Sequence, residues 1–352
     1  MKPVNRLSII LQLTFVFVSA FIKGQTPLND QNWYIDTGKS DEFNSTAINP
    51  NKWHVLDCPS GDCCNWGGGT AFEKGNTMDS AGLLRFRVDG PGLAPIPCSR
   101  GTYATGGIQS DSENYTYGYY EIYAKLPGFY DKGVPCGLKF WPTFWMAYQQ
   151  FDTSCLVVGN EVDILEPNGT QYANGSTNVC GWWYLSGNCQ SKKNQGIYNS
   201  PVPLFTGFHK YAVETLPNAV IFYFDDVPFF ENYNSPTMIM HPMRLYIDQQ
   251  LQDTSIKFNP NTPFPQYYTI DYFRYYRLNL ACGVSTTLLD NIDIANYVFS
   301  VKSDITFGNG LNSISLNSTD VKYFRAVNSI TINGTFTAPL GSELALIPTP
   351  CN

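Results

Sequence analysis

The alternation of apolar and polar residues predicts short β-strands along most of the chain. It is clearest over residues 117–126, where Tyr120, Ile122 and Leu126 share one face and Glu121 lies on the other. Similar runs cover residues 81–88, 140–147, 209–216, 219–224, 243–249 and 268–277. No long segment has a helical period, so the pattern predicts an all-β protein built as a β-sandwich.

Two regions depart from this pattern. Residues 167–207 are polar and rich in Gly, Asn and Ser, which predicts a long irregular loop. After Cys282 the chain has no Trp, and residues 312–319 resemble residues 328–335 at an offset of 16 residues. This near-repeat fits either stacked strands in a small β module or an irregular extension of the sandwich. We therefore divide the chain into a main domain, residues 25–282, and a C-terminal β module, residues 283–352.

The first residues have the pattern of a secretory signal peptide. A basic flank containing Lys2 and Arg6 precedes an apolar stretch over residues 7–22, and small residues follow. We predict removal of residues 1–24 and a secreted protein, either extracellular or attached to the cell surface. A membrane anchor is the alternative, but the stretch is short and polar residues interrupt it. No other stretch is apolar enough to span a membrane.

Composition and net charge limit the kinds of partner that the protein is expected to bind. Aromatic residues make up 15% of the chain, the net charge is −7 and the pI is about 5.0. An acidic chain is a poor partner for nucleic acid or an anionic membrane. We expect a monomer.

The ten cysteines indicate disulfide bonds rather than a zinc site, because the three histidines lie far from any cysteine pair. Cys180 and Cys189 enclose a short loop and are one candidate pair. Cys136 and Cys155, on either side of an aromatic run, are another.

Three carboxylates stand close together within residues 161–166, among apolar neighbours that favour a strand. Glu161 and Asp163 share a face, whereas Glu166 would point the other way in a regular strand. One extra residue in a β-bulge would bring all three to one face. Paired carboxyl groups are what glycoside hydrolysis requires. A calcium loop or a solvated acidic edge is the alternative.

Trp141 and Trp145 precede this stretch and share strand parity, as stacking platforms for sugar rings would. Core packing is the alternative for both. Trp182 and Trp183 lie in the polar region and are further candidates for substrate binding.

Together these residues resemble glycoside hydrolase family 16, whose motif is Glu-x-Asp-x-(x)-Glu. The longer form here is similar to its laminarinase-type branch, and further landmarks follow in order at residues 117–121, 141–146, 208–214, 221–225 and 270–275. The C-terminal segment resembles small modules of secreted Bacteroidetes proteins that serve sorting or attachment.

The resemblance implies a concanavalin-like β-jelly-roll with a glycan cleft on its concave face. It implies Glu161 as nucleophile, Asp163 as its helper and Glu166 as acid/base. No cofactor is expected for catalysis, but the resemblance implies a structural calcium held by Glu42, the Gly82 carbonyl and Asp271.

We therefore predict a secreted retaining endo-β-glycanase that acts on β-1,3- or β-1,3-1,4-glucan. One alternative is the same chemistry on an algal galactan of the agarose, porphyran or carrageenan type. Others are a non-catalytic glycan-binding protein on this fold and a calcium-dependent adhesion protein.

Overall fold

The structure is a computed structural model. It describes residues 29–58, 70–90, 103–136, 140–150, 158–167, 174–185, 188–233, 241–251 and 260–351. The predicted signal peptide, most of the Cys-rich loop after Asp57, and Cys155 lie outside these residues. Within the described ranges, no helix is long and apolar enough to cross a membrane.

The regular structure of the described chain is nearly all β-strand, as the sequence pattern predicts. The strands of the main domain are β1 (Trp33–Ile35), β2 (Trp53–Val55), β3 (Thr70–Phe72), β4 (Thr77–Ser80), β5 (Leu83–Val88), β6 (Tyr103–Thr105), β7 (Gly107–Ser110), β8 (Gly118–Lys125), β9 (Phe129–Asp131), β10 (Val134–Cys136), β11 (Phe140–Gln150), β12 (Val158–Pro167), β13 (Asn174–Leu185), β14 (Asn188–Asn199), β15 (His209–Leu216), β16 (Ala219–Phe224), β17 (Val227–Asn232), β18 (Arg244–Leu251) and β19 (Gln266–Leu278). The C-terminal elements are β20 (Leu280–Ala281), β21 (Thr286–Leu288), α1 (Asn291–Ala295), β22 (Val301–Phe307), β23 (Ser313–Ser315), β24 (Val321–Ile332), β25 (Thr335–Thr337) and β26 (Glu343–Pro348).

Two antiparallel sheets form the sandwich, and the predicted β-jelly-roll architecture is confirmed. The first sheet, sheet A, has the order β17-β16-β15-β8-β19-β5-β4, with β1 paired to β19. The second, sheet B, has the order β14-β13-β12-β11-β18-β7-β2. Residues at alternate positions fill the space between them: Ile122 and Phe273 from sheet A meet Phe144 and Ile247 from sheet B, all with no exposed surface. This alternation leaves the intervening residues of sheet B for its outer face.

The prediction of an irregular loop over residues 167–207 is wrong. Strands β13 and β14, of 12 residues each, form an antiparallel ribbon at the edge of sheet B. Periodicity records which residues are buried, whereas a ribbon is held by backbone hydrogen bonds and needs no apolar face. Gly, Asn and Ser can therefore occupy it without giving a strand pattern.

The register of this ribbon also argues against a Cys180–Cys189 disulfide. Cys180 lies opposite Lys193, while Cys189 lies opposite Tyr184. The two cysteines are thus four rungs apart, roughly 13 Å at the usual rise per residue, and a disulfide spans less than about 7 Å between Cα atoms. Cys136 is described, but the Cys136–Cys155 pair cannot be placed because Cys155 lies outside the described residues.

Parallel strands build the C-terminal sheet, in the order β20-β22-β24-β26, with β21 beside β22. Val321 pairs with Glu343, and Ser313 pairs with Thr335 in the neighbouring two-stranded sheet of β23 and β25. Both pairs are 22 positions apart, so these strands do not stack at the 16-residue offset of the near-repeat. A Cys282–Cys351 disulfide, which spacing did not suggest, links the start and end of this region.

Candidate active site

A β-bulge in β12 sets the direction of its carboxylates. On the β11 side, Trp145 pairs with Asp163, and the next residue back, Phe144, pairs with Leu165. On the β13 side, the three steps from Asp163 to Glu166 oppose only two steps on the partner strand. Both registers place one extra residue between Asp163 and Glu166, which is the predicted bulge.

The bulge brings the three acids together. Glu161, Asp163 and Glu166 all line one cleft of about 470 Å³ on the outer face of sheet B. Val162 and Leu165 are fully buried in the core between the sheets, as expected for the opposite parity, and Leu165 also reaches the floor of the cleft. The three acids therefore share one surface of the sheet.

Two predicted tryptophans line the same cleft. Trp141 and Trp145 lie on β11, next to the acidic strand, and both are half-buried. The ring of Tyr246, from β18, stacks on Trp145 with 4.3 Å between the ring centroids and 17° between the planes. The cleft therefore has a broad aromatic wall, of the kind on which sugar rings stack.

A buried carboxylate holds this wall in place. Asp248 has no exposed surface, and its Oδ2 accepts a hydrogen bond of 2.9 Å from the indole Nε1 of Trp145. Burial raises the pKa of the Asp248 carboxyl to about 6, while hydrogen bonds from Trp145 and its other neighbours act to lower it. Its Oδ1 has no partner within the described part of the chain.

At one end of the cleft, Glu113 adds a fourth carboxylate to the lining. Its Oε1 is 3.6 Å from Nη2 of Arg244, a loose ion pair at the edge of β18. Arg244 lies opposite Ala147, which lines the cleft, so the two side chains share the cleft face.

The remaining predicted substrate residues are placed only in part. Trp182 and Trp183 lie on β13, where Trp182 pairs with Gly159 of the acidic strand. Their side chains lie outside what the structure describes, and their role in binding stays a prediction.

The predicted calcium ligands fit a metal poorly. Both oxygens of Glu42 accept hydrogen bonds from the guanidinium of Arg274, at 2.7 and 2.9 Å. Among the described residues, no group of three or more acidic, His or Cys side chains is arranged to hold a metal ion. Glu42 would have to leave Arg274 to join Gly82 and Asp271 around a cation. The calcium site stays a prediction, which calcium titration of the stability of metal-free protein would test.

Several cleft residues were not recognised from the sequence. Tyr246 and Gln250 line the cleft and Asp248 supports it, at alternate positions of β18, and the strand itself was predicted. The sequence did not show which residues of that strand lie on the outer face of sheet B beside β11, because the run contains both apolar and polar residues. Glu113 precedes β8 in an irregular segment and carries no comparable signal.

This cleft, with its bulged acidic strand, can be compared with known proteins. The sequence model of glycosyl hydrolases family 16 matches residues 64–273, more than half of the chain. The chain belongs to glycosyl hydrolases family 16. The match includes β11, β12 and β18, and so covers the strands that carry the cleft.

Individual relatives are distant. Glucan endo-1,3-beta-glucosidase A1 from Niallia circulans is 24% identical over 258 residues, which are 69% of this chain and 33% of the relative. The chain thus spans about a third of the length of this curated relative.

Solved structures show the same fold. The kappa-carrageenase zobellia_236 from Zobellia galactanivorans has a TM-score of 0.57 at 20% identity, covering 73% of this chain and 99% of its own. LamA from the same organism, solved with laminaritriose and laminaritetraose, has a TM-score of 0.55 at 23% identity, covering 68% and 97%. At these identities the comparison establishes the fold alone.

Proposed function

We propose that this family 16 member is a secreted, retaining endo-β-glycanase that hydrolyses β-1,3- or β-1,3-1,4-glucan. The observation that carries the proposal is the row of Glu161, Asp163 and Glu166 along one open cleft beside an aromatic wall. An open cleft on a sheet face suits a polymer that binds along its length, as internal cleavage requires.

In the proposed reaction, the protonated carboxyl of Glu166 donates its proton to the glycosidic oxygen as that bond breaks. The carboxylate of Glu161 attacks the anomeric carbon and forms a covalent glycosyl-enzyme. Glu166, now ionised, takes a proton from water, and the resulting hydroxide displaces Glu161. Two inversions at the anomeric carbon leave its configuration unchanged.

Asp163 has the middle position and is the most buried of the three, at 9% exposed. We assign it the role of orienting Glu161 and keeping Glu166 protonated. A carboxylate between two others makes it harder for both neighbours to ionise, so one of them retains its proton near neutral pH.

Cleft charge favours a neutral substrate. The described lining includes four acids, Glu113, Glu161, Asp163 and Glu166, and no Lys or Arg, while Arg244 on the same face offsets part of the charge of Glu113. A sulfated galactan would meet repulsion from these carboxylates. The fold match to a kappa-carrageenase makes a galactan the second candidate, and the acidic lining is the argument against it.

The test is a reducing-sugar assay on a panel of laminarin, mixed-linkage glucan, agarose, porphyran and carrageenan. We expect wild type to release sugars from a glucan and Glu161→Gln to release almost none. Glu166→Gln should lose about 10²- to 10⁴-fold, the usual contribution of a general acid and base. Equal activity of wild type and Glu161→Gln on every polymer would overturn the enzymatic proposal. Cleavage of a galactan and of no glucan would make a galactan the substrate instead.

A further inference from the structure

A second pocket lies where the sandwich meets the C-terminal segment, and we call it the seam pocket. It has a volume of about 440 Å³, similar to that of the catalytic cleft. Trp33, Tyr34 and Arg277 line it from the sandwich, while Leu280 and Pro350 line it from the C-terminal side. Nothing in the proposed reaction uses it.

The seam pocket and the cleft share a wall. Residues 111–117 connect β7 of sheet B to β8 of sheet A, so this segment crosses one end of the sandwich. Glu113 lines the cleft, and its neighbour Asn114 lines the seam pocket, as do Thr116 and Tyr117. Five residues of chain reach at most about 18 Å, so the two linings are close enough for one polysaccharide chain to contact both.

This wall is fixed. Tyr115 exchanges two backbone hydrogen bonds with Met243, of 3.1 and 2.7 Å, just before β18. Its ring packs against Tyr120 and Tyr275 in the core. The geometry of the seam pocket relative to the cleft is therefore set by the core itself.

The lining of the seam pocket suits a sugar. Tyr34 is 43% exposed, and its hydroxyl accepts hydrogen bonds from Nε and Nη2 of Arg277 at 2.9 and 2.7 Å. Two accepted bonds leave the hydroxyl proton of Tyr34 free to donate outward. Asn114 and Asn279 also line the pocket, and their side-chain amides donate to Ser112 Oγ and to the carbonyl of Phe299.

Trp33, which lines the seam pocket, carries a buried hydrogen-bond donor without a partner among the described residues. Its side chain is 8% exposed, it lines the seam pocket, and its indole Nε1 has no hydrogen-bond partner in the described part of the chain. A buried N–H without a partner is uncommon in proteins and costs about 1–3 kcal/mol, so such groups usually have a ligand or water as partner.

The charges of the seam pocket are compensated, which favours a neutral ligand. The guanidinium of Arg277 is 3.7 Å from the carboxylate of Asp36. Lys39 donates to the carbonyl of Asn114 at 2.7 Å and lies 4.6 Å from the centre of the Tyr115 ring. Neither cation is left to attract an anion on its own.

We propose that the seam pocket is a second glycan-binding site, which holds a neutral part of the same polysaccharide chain outside the catalytic cleft. This proposal rests on the proposed function, because its ligand is the polymer that the enzyme cleaves. Binding at two linked sites raises the affinity for a long chain and has no effect on a ligand too short to reach both.

The test uses Glu161→Gln protein, which binds without cleaving, and the panel polysaccharide that wild type hydrolyses. In affinity electrophoresis, adding Tyr34→Ala should weaken polymer binding about five- to tenfold, the value of one aromatic contact. Tyr34→Trp keeps a ring and should retain most of the binding. Tyr233→Ala removes another tyrosine, 62% exposed, that does not line the pocket, and should have no effect.

A second measurement separates this site from catalysis. With Glu161 intact, Tyr34→Ala should leave kcat/KM on a trisaccharide or tetrasaccharide unchanged and lower it on the polymer. Equal polymer binding by the Tyr34→Ala and Tyr233→Ala proteins would overturn the seam pocket while leaving the proposed function standing. If wild type cleaves no polysaccharide on the panel, both proposals fail.

Discussion

At the scale of single residues, Asp248 links burial to the shape of the cleft. It carries no exposed surface, yet its carboxylate is the acceptor that fixes the Trp145 indole beside Tyr246. A buried carboxylate is unfavourable when ionised, because the protein interior solvates charge poorly. Holding the aromatic wall therefore lowers the free energy of unfolding by an amount that depends on pH.

Asp248→Asn should remove that dependence. The pKa of this carboxyl rises from an ordinary 3.8 to about 6 on folding, so its protonated form favours the fold and stability falls as pH rises from about 4 to about 7. The asparagine keeps an oxygen for Trp145 and does not ionise. Relative to wild type, we expect the variant to gain at most about 3 kcal/mol of unfolding free energy over this range.

Urea denaturation of both proteins at pH 4.5 and pH 7.5 measures this difference. Groups common to the two proteins cancel in the comparison. A stability difference that stays constant between the two pH values would mean that Asp248 ionises in the fold as easily as in the unfolded chain.

The sequence identified the acidic residues of the cleft but not their supports. Glu161, Asp163 and Glu166 stand out because three carboxylates among apolar residues are rare. Asp248 and Tyr246 act through contacts across the sheet, and such contacts depend on register rather than on local pattern.

At the scale of elements, the bulge in β12 is the feature on which the site depends. Deleting Ile164 would remove the extra residue and leave Glu-Val-Asp-Leu-Glu, in which all three acids share a face of a regular strand. Deleting Val162 also removes one buried aliphatic residue, but it puts Glu161 and Asp163 on opposite faces.

We therefore expect the Ile164 deletion to keep measurable glycanase activity and the Val162 deletion to lose it. Each deletion should cost roughly 2–4 kcal/mol of stability, because each removes a core side chain. Activity assays below the melting temperature of both variants make the comparison. Activity in the Val162 deletion alone would contradict the assigned register.

Elements with a buried face were predictable and elements without one were not. The hairpin of β15 and β16 has the predicted bounds, since its alternating residues enter the core. Strands β13 and β14 carry Gly, Asn and Ser where a strand pattern needs apolar residues. Their pairing comes from backbone hydrogen bonds. Almost every residue type can form these bonds, so the residue pattern does not predict them.

At the scale of the whole molecule, one arginine joins the C-terminal segment to the sandwich. Arg325 of β24 is 1% exposed and pairs with Asp30 at 2.7 Å. Its guanidinium also lies 3.9 Å from Glu214 of sheet A and donates to Thr349 at 3.2 Å. The pKa of Glu214 is raised by burial and held back by Arg325. This cluster makes the segment part of the packed molecule.

Arg325→Met should destabilise the protein by about 3–5 kcal/mol, because it leaves two buried carboxylates without their cation. Adding Asp30→Asn and Glu214→Gln should restore most of the loss. The unfolding free energies of wild type and of the single and triple variants, measured in urea, test this recovery of stability. A triple variant no more stable than Arg325→Met would mean that packing, not charge, holds the seam.

Glu161 is the proposed nucleophile and Glu166 the proposed acid/base of a retaining enzyme. The most direct test of this assignment is azide rescue of Glu161→Ala and Glu166→Ala on an aryl β-oligoglucoside, with the products identified by proton NMR. Azide attacks the anomeric carbon directly in Glu161→Ala and should give the α-glycosyl azide. In Glu166→Ala the covalent glycosyl-enzyme still forms. Azide then displaces the Glu161 carboxylate from the anomeric carbon and should give the β-glycosyl azide. The opposite pair of products would contradict the assignment.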